Sequence, residues 1–332
     1  MKSVKPALGF PALGVAVLMM ALAVSPAPAQ VPLTPAQQQD PNDPDGTLVE
    51  ELVVTARLPG PAWWRVSDGD TTVYVLGAPS VMPKSFGWDR SVLERRLKDA
   101  NEVILPFNSV KIGVLRAPTT LLRAAQIKGG PVEDDLPEPL RSRFVRAREA
   151  AGQPAKRYGY KNELAAAITL VGDYRSKVRL TASDPAKTIG WIAQSMKLKI
   201  HKKSYDIGPL LGAAVKTSKS AQRACLQEAL DEVEAGPASV RRAAEAWAQG
   251  DVRGALNVER GYDRCMVAAP GAVKIDAKMK ADQAAAIEQA LQKPGHAVAV
   301  VQLRPLLSQG GVLDRLRAKG YEIGTPGGDE AD

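Results

Sequence analysis

Thr71-Thr72-Val73-Tyr74-Val75-Leu76-Gly77 is the stretch on which the reading of this chain turns. Its β-branched and aromatic residues, ending at a glycine, predict a strand. Ser91-Val92-Leu93-Glu94 downstream has the pattern of a capping box, which predicts a helix through Leu93 and Leu97. Residues 102–107 then form a second short apolar strand. Strand, loop, helix and strand in this order predict a layered α/β sheet. The far end repeats the pattern. Asp276 is expected to cap a helix with Met279, Ala284, Ile287 and Leu291 inward, and Pro294-Gly295 breaks it. Residues 297–303 read as an apolar strand, residues 311–319 as a short helix closed by Gly320, and Tyr321-Glu322-Ile323 as the start of a last strand. Between the ends, residues of about 118–275 are mostly helical in pattern. The expected architecture is one α/β domain over residues 61–332, with a mixed sheet built from both ends of the chain and a large central helical insertion.

Composition narrows the function classes. The chain has 332 residues, of which 45% are hydrophobic and 24% charged, as in globular proteins. The formal charge is +8, short of a dedicated nucleic-acid binder with a concentrated basic face. Bases cluster at Arg141, Arg143, Arg146 and Arg148 and at Lys197, Lys199, Lys202 and Lys203. Both clusters read as solvated faces or as contacts for an anionic envelope surface. Apart from Tyr158 and Tyr160 they lack the interleaved aromatics that stack on single strands, so no nucleic-acid partner is expected. The two cysteines and two histidines lie too far apart in sequence for a structural zinc motif.

The N-terminus reads as an address. Lys2 and Lys5 precede an uncharged stretch through residues 7–24, and Ala27-Pro28-Ala29 fits a signal-peptidase site. The expectation is a signal peptide over residues 1–29, export to the periplasm and no transmembrane segment in the mature chain. An uncleaved anchor is the competing reading, weakened by Gly9, Pro11 and Gly14. Residues 30–60, rich in Pro, Asp and Gln, are expected to be a flexible leader. An oxidising compartment favours a disulfide between Cys225 and Cys265; two buried free thiols are the alternative.

Both ends of the chain resemble the TraB/GumN family, a group that includes Tiki-like metalloproteases. The carrying residues are Trp64-Arg65-Val66, Thr72 through Gly77, Met82-Pro83, Trp88 and Val103-Ile104-Leu105. At the far end they are Val298 to Val301, Gly311-Val312-Leu313 and Leu316 through Glu322, with Ala246-Trp247-Ala248-Gln249-Gly250-Asp251 between. The resemblance implies an EreA/ChaN-like sheet and, in enzymatic members, a divalent-metal site made by two Gly-x-x-His motifs and a glutamate. In this chain those positions fall on Gly77-Ala78-Pro79-Ser80, on Pro106 and on Gln302-Leu303-Arg304-Pro305. Ser80, Pro106 and Pro305 thus stand where the family's ligands belong, and proline offers no side-chain donor. The implied reading is a degenerate member with no metal, no cofactor and no assigned catalytic residue. It would be a pseudoenzyme binding a protein, glycan or small ligand in a cleft lined by Gly77, Ser80, Pro106, Gln302 and Arg304. The alternatives are a metal-dependent hydrolase with non-standard ligands and, by likeness to a related branch, a haem binder. His201, among lysines, is expected at the surface, and His296 in a loop at the end of the strand opposite the cleft. Residues 49–57 resemble the N-terminal stretch of TonB-dependent receptors, at most a docking strand.

Overall fold

A computed structural model describes residues 43–106, 109–111, 117–182, 184–206, 214–258, 265 and 271–327. The segment read as a signal peptide lies outside the described residues. The predicted sheet forms from strands β1 (Trp63–Ser67), β2 (Thr71–Ala78), β3 (Glu102–Ile104), β4 (Lys199–His201), β5 (Gly295–Gln302) and β6 (Glu322–Gly324). Its order is β6-β1-β2-β5-β3-β4. β1 runs antiparallel to both β2 and β6, whereas β2, β5, β3 and β4 are mutually parallel. The mixed sheet therefore joins both ends of the chain. β2 and β5 lie side by side along their length, with Val301 beside Gly77 and Gln302 beside Ala78. Their unbroken apolar runs follow from burial on both faces, as parallel strands require. Val73, Val75, Leu76 and Val298 to Val301 are all buried in the main core.

Helices α1 (Ser91–Leu97), α2 (Glu163–Lys177), α3 (Asp184–Ser195), α4 (Lys219–Ala235), α5 (Ala238–Ala248), α6 (Ala272–Leu291), α7 (Leu303–Leu307) and α8 (Val312–Ala318) supply the other layers used below. Two expected caps are corrected. Ser91 is the first residue of α1, preceded by Arg90, and its backbone N–H is taken by Asp89 Oδ1 at 2.8 Å. Asp276 lies inside α6, which starts behind Gly271; its carboxylate pairs instead with Lys280 one turn on.

The central insertion is not one peripheral block. Phe144, Tyr158, Leu170, Leu226 and Leu230 build a second core between helices. Arg175 clamps α2 to α4 by a bidentate bond to Glu232. Yet α3 contributes Ile189 and Ala193 to the main core, and β4 extends the main sheet. Ile168 of α2 is exposed. The expected disulfide is present: Cys225 and Cys265 are bonded, with Cα atoms 5.2 Å apart.

The flexible-leader reading fails for the described part of residues 30–60. Leu52 is fully buried and Val49 and Val53 join the main core. Thr55 bridges Asp251 and the Ala56 N–H donates to the Gly250 carbonyl at 2.9 Å. Gly250 has φ +74°, and a Cβ there would collide with Ala56, so a glycine is required at this crossing. The stretch likened to TonB-dependent receptors is thus a strap docked on its own chain. Polar composition hid it because a few apolar side chains suffice to anchor a short segment on a preformed core.

Candidate functional site

The parallel strands β2, β3 and β5 end together, and a cleft of about 440 Å³ opens beyond their carboxyl ends. This is where open α/β sheets place ligands, because the strand ends and following loops leave a crevice there. Ala78, Pro79, Leu105, Pro106 and Gln302 form the floor. One wall comes from α3, where Lys187, Trp191 and Gln194 stand at i, i+4 and i+7 and share a face. The other wall is Met279 and Gln283, again one turn apart, on α6, with Lys202 just past β4.

Of the residues expected in the cleft, Pro106 and Gln302 line it and Gly77, Ser80 and Arg304 do not. Alternation along a strand sends successive side chains to opposite faces. Gly77 therefore turns to the core, where a Cβ would overlap Leu303 and press on Trp64, while Ala78 turns to the cleft. The Gly77 carbonyl accepts the Trp247 indole N–H at 2.6 Å. Ser80 is exposed outside the lining. Arg304 donates to the Leu256 carbonyl at 2.7 Å, held by α7 away from the cleft.

Lys187, Trp191, Gln194, Lys202, Met279 and Gln283 were missed by sequence reasoning. The signal was present only in part: Lys187, Trp191 and Gln194 share a helical face, but nothing local says that this face meets strand ends more than eighty residues away in sequence. The basic clusters sort accordingly. Arg143 pairs with Asp231 and Glu234, Arg148 with Glu133, Lys199 with Glu102, and Lys203 with Asp282. Lys187 and Lys202 have no ion pair among the described residues.

Neither histidine belongs to the cleft. His201 is a half-buried residue of β4, with Nε2 at 2.7 Å from Oε2 of Glu102. Glu102 opens β3 with its side chain 3% exposed, and Lys293 Nζ approaches it at 3.0 Å. Burial alone would push the Glu102 carboxyl up; the bonds from Lys293 and His201 together outweigh it and hold the group below the ordinary glutamate range. The lowered value means that stability from this cluster is full above the ordinary glutamate pKa of about 4.3 and is lost as pH falls through the folded-state pKa. The stability gap between the native chain and Glu102→Gln is thus expected at pH 7 and should shrink below about pH 4 in urea unfolding curves. A gap independent of pH would contradict the assignment. His296 lies on β5, not in a loop; its Nε2 is 3.0 Å from the Arg96 carbonyl and its ring meets Tyr74 edge-on. As expected, it stands at the strand end opposite the cleft.

The donor set decides what the cleft can hold. Amides, ammonium groups and an indole line it, with no carboxylate or imidazole among the described lining residues. Divalent metals take imidazole, carboxylate or thiolate. Among the described residues no three His, Cys, Asp or Glu side chains stand together as such a set. The cleft therefore does not fit the metal that the family resemblance implies. Anions and hydroxyl-rich groups do fit it, since lysine donates to the first and glutamine both donates to and accepts from the second.

No helix among the described residues is long and apolar enough to cross a membrane. Comparison with curated proteins and with solved structures gave no match. The match is to a family: the TraB/PrgY/gumN description covers residues 62–325, from β1 through β6 and so through every strand end that shapes the cleft. With the sheet, its closing helix and the cleft all inside that span, the chain belongs to the TraB/PrgY/gumN family.

Proposed function

We propose that this chain is an exported TraB/PrgY/gumN-family protein that binds a ligand or a protein partner in the cleft beyond β2, β3 and β5, and that it is a pseudoenzyme. The observation carrying the proposal is the lining itself: Lys187, Lys202, Gln194, Gln283 and Gln302 supply binding groups, and among the described residues of the lining there is no carboxylate or imidazole to hold a metal or act as a general base. Pro106 stands on the floor where the family's glutamate is expected by resemblance, and Ser80 lies outside the lining. Export to the periplasm is proposed from Lys2, Lys5 and the uncharged stretch before Ala27-Pro28-Ala29, and the Cys225–Cys265 bond supports it because such bonds persist in oxidising compartments.

The test is elemental analysis of residues 30–332, exported and purified without chelator, with thermal-shift titrations of zinc, manganese and cobalt. The expected result is metal far below one equivalent and no stabilisation. Near-stoichiometric metal with a multi-degree shift would overturn the reading in favour of a metal-dependent hydrolase with non-standard ligands, because only binding to the folded state raises its melting temperature.

A further inference from the structure

We propose that the ligand of this cleft is a carboxylated saccharide, stacked by a sugar face on Trp191 and paired through its carboxylates with Lys187 and Lys202; this rests on the ligand-binding reading above. Trp191 is 70% exposed, the most exposed large apolar side chain among the described residues, while Ile189 and Ala193 of the same helix are buried. A lone indole left in water on the rim of a cleft is a surface waiting for a flat apolar partner. The C–H face of a pyranose ring is such a partner.

The polar groups select the rest of the ligand. Lys187 stands one turn before Trp191 and Lys202 lines the same cleft just past β4; among the described residues neither has an ion-pair partner and the lining holds no carboxylate. A cationic ligand would meet two uncompensated lysines, whereas an anion answers them. Lys202 is held in place by its neighbours, His201 bonded to Glu102 and Lys203 to Asp282. Gln194, Gln283 and Gln302 each carry a donor and an acceptor, the pairing that hydroxyl groups need.

The main competitors fit less well. An extended peptide binds by adding to an open strand edge, but the floor lies at the ends of β2, β3 and β5, whose edges are already paired in the sheet. A nucleotide phosphate favours a helix N-terminus. The first turn of α3 carries Asp184, whose carboxylate accepts the Phe86 N–H and would repel a phosphate.

The experiment titrates the whole mature chain by calorimetry with trisaccharides of galacturonate, mannuronate and hyaluronan type, with galactotriose and adenosine monophosphate as comparisons. At least one acidic trisaccharide is expected to bind, more weakly with rising salt. Galactotriose should bind at least about tenfold more weakly. Trp191→Ala and the Lys187→Gln/Lys202→Gln pair should each lose about tenfold with unchanged melting temperature, because these side chains project from the surface. The proposal is overturned if no acidic trisaccharide binds, if Trp191→Ala binds normally, or if the neutral sugar or the nucleotide binds as well. Those outcomes with metal still absent leave the ligand-binding reading standing; near-stoichiometric metal removes both.

Discussion

Trp247→Ala is expected to destabilise the fold by about 3–5 kcal/mol, the range for truncating a fully buried aromatic. Trp247 is 2% exposed on α5, and its ring meets Trp88 edge-on at 5.3 Å. Its indole N–H donates to the Gly77 carbonyl at 2.6 Å, one residue before the end of β2 at the cleft floor. Truncation removes the packing and orphans a buried carbonyl as well. Trp247→Phe separates these effects: it keeps an aromatic ring, loses the donor and should cost about 1–3 kcal/mol. Urea unfolding measures both, and a Trp247→Ala midpoint close to that of the native chain would remove the role assigned here. Around this residue, Ala246 through Asp251 has a structural task at each of three positions. Trp247 pins β2, Gly250 lets the strap cross, and Asp251 caps the next turn through the Gly254 N–H.

Lys280→Met should be as damaging, at about 3–5 kcal/mol, the range for breaking a buried pair on one side. Lys280 is 3% exposed on α6, and its ammonium lies 2.8 Å from both Asp45, just ahead of the strap, and Asp276 one turn back. Removing it leaves two half-buried carboxylates facing each other. Burial already pushes the Asp276 carboxyl up against the opposing pull of Lys280. Without the lysine that rise is larger, so the folded variant takes up protons more readily than its unfolded chain. Its deficit should accordingly be greater at pH 7 than at pH 4. A deficit that does not change with pH would mean that lost packing, not charge, is responsible. Because Asp45 also accepts the Ser308 hydroxyl, loosening of the strap should appear as faster proteolysis ahead of residue 60.

The strands and the closing helix were legible because their signals are local. Thr71 through Leu76 and Val298 through Val301 are apolar enough to demand burial on both faces, and Gly320, with φ +92°, stops α8 where a glycine was expected to. The same locality misled at Ser91 and Asp276. Each has the residue type of a cap, but the N–H at one helix start goes to Asp89 and the carboxylate inside the other answers a buried lysine. Polar composition likewise concealed the strap, since Leu52 finds its core only after the two ends of the chain have met.

For the cleft, sequence alone pointed to an address beyond the ends of the strands read over residues 71–76 and 297–303, and to Pro106 and Gln302, which line the opening found there. Only the tertiary structure decided which face of β2 is core and which is cleft. Trp64, Leu303 and Trp247 crowd Gly77 and leave Ala78 to the opening. It also decided that α3 and α6, distant in sequence, bring Trp191, Lys187 and Gln283 around that opening. Strand and helix periodicity is written in neighbouring residues, whereas the chemistry of a cleft is a sum over side chains that become neighbours only when long loops close, and no local preference records that closure.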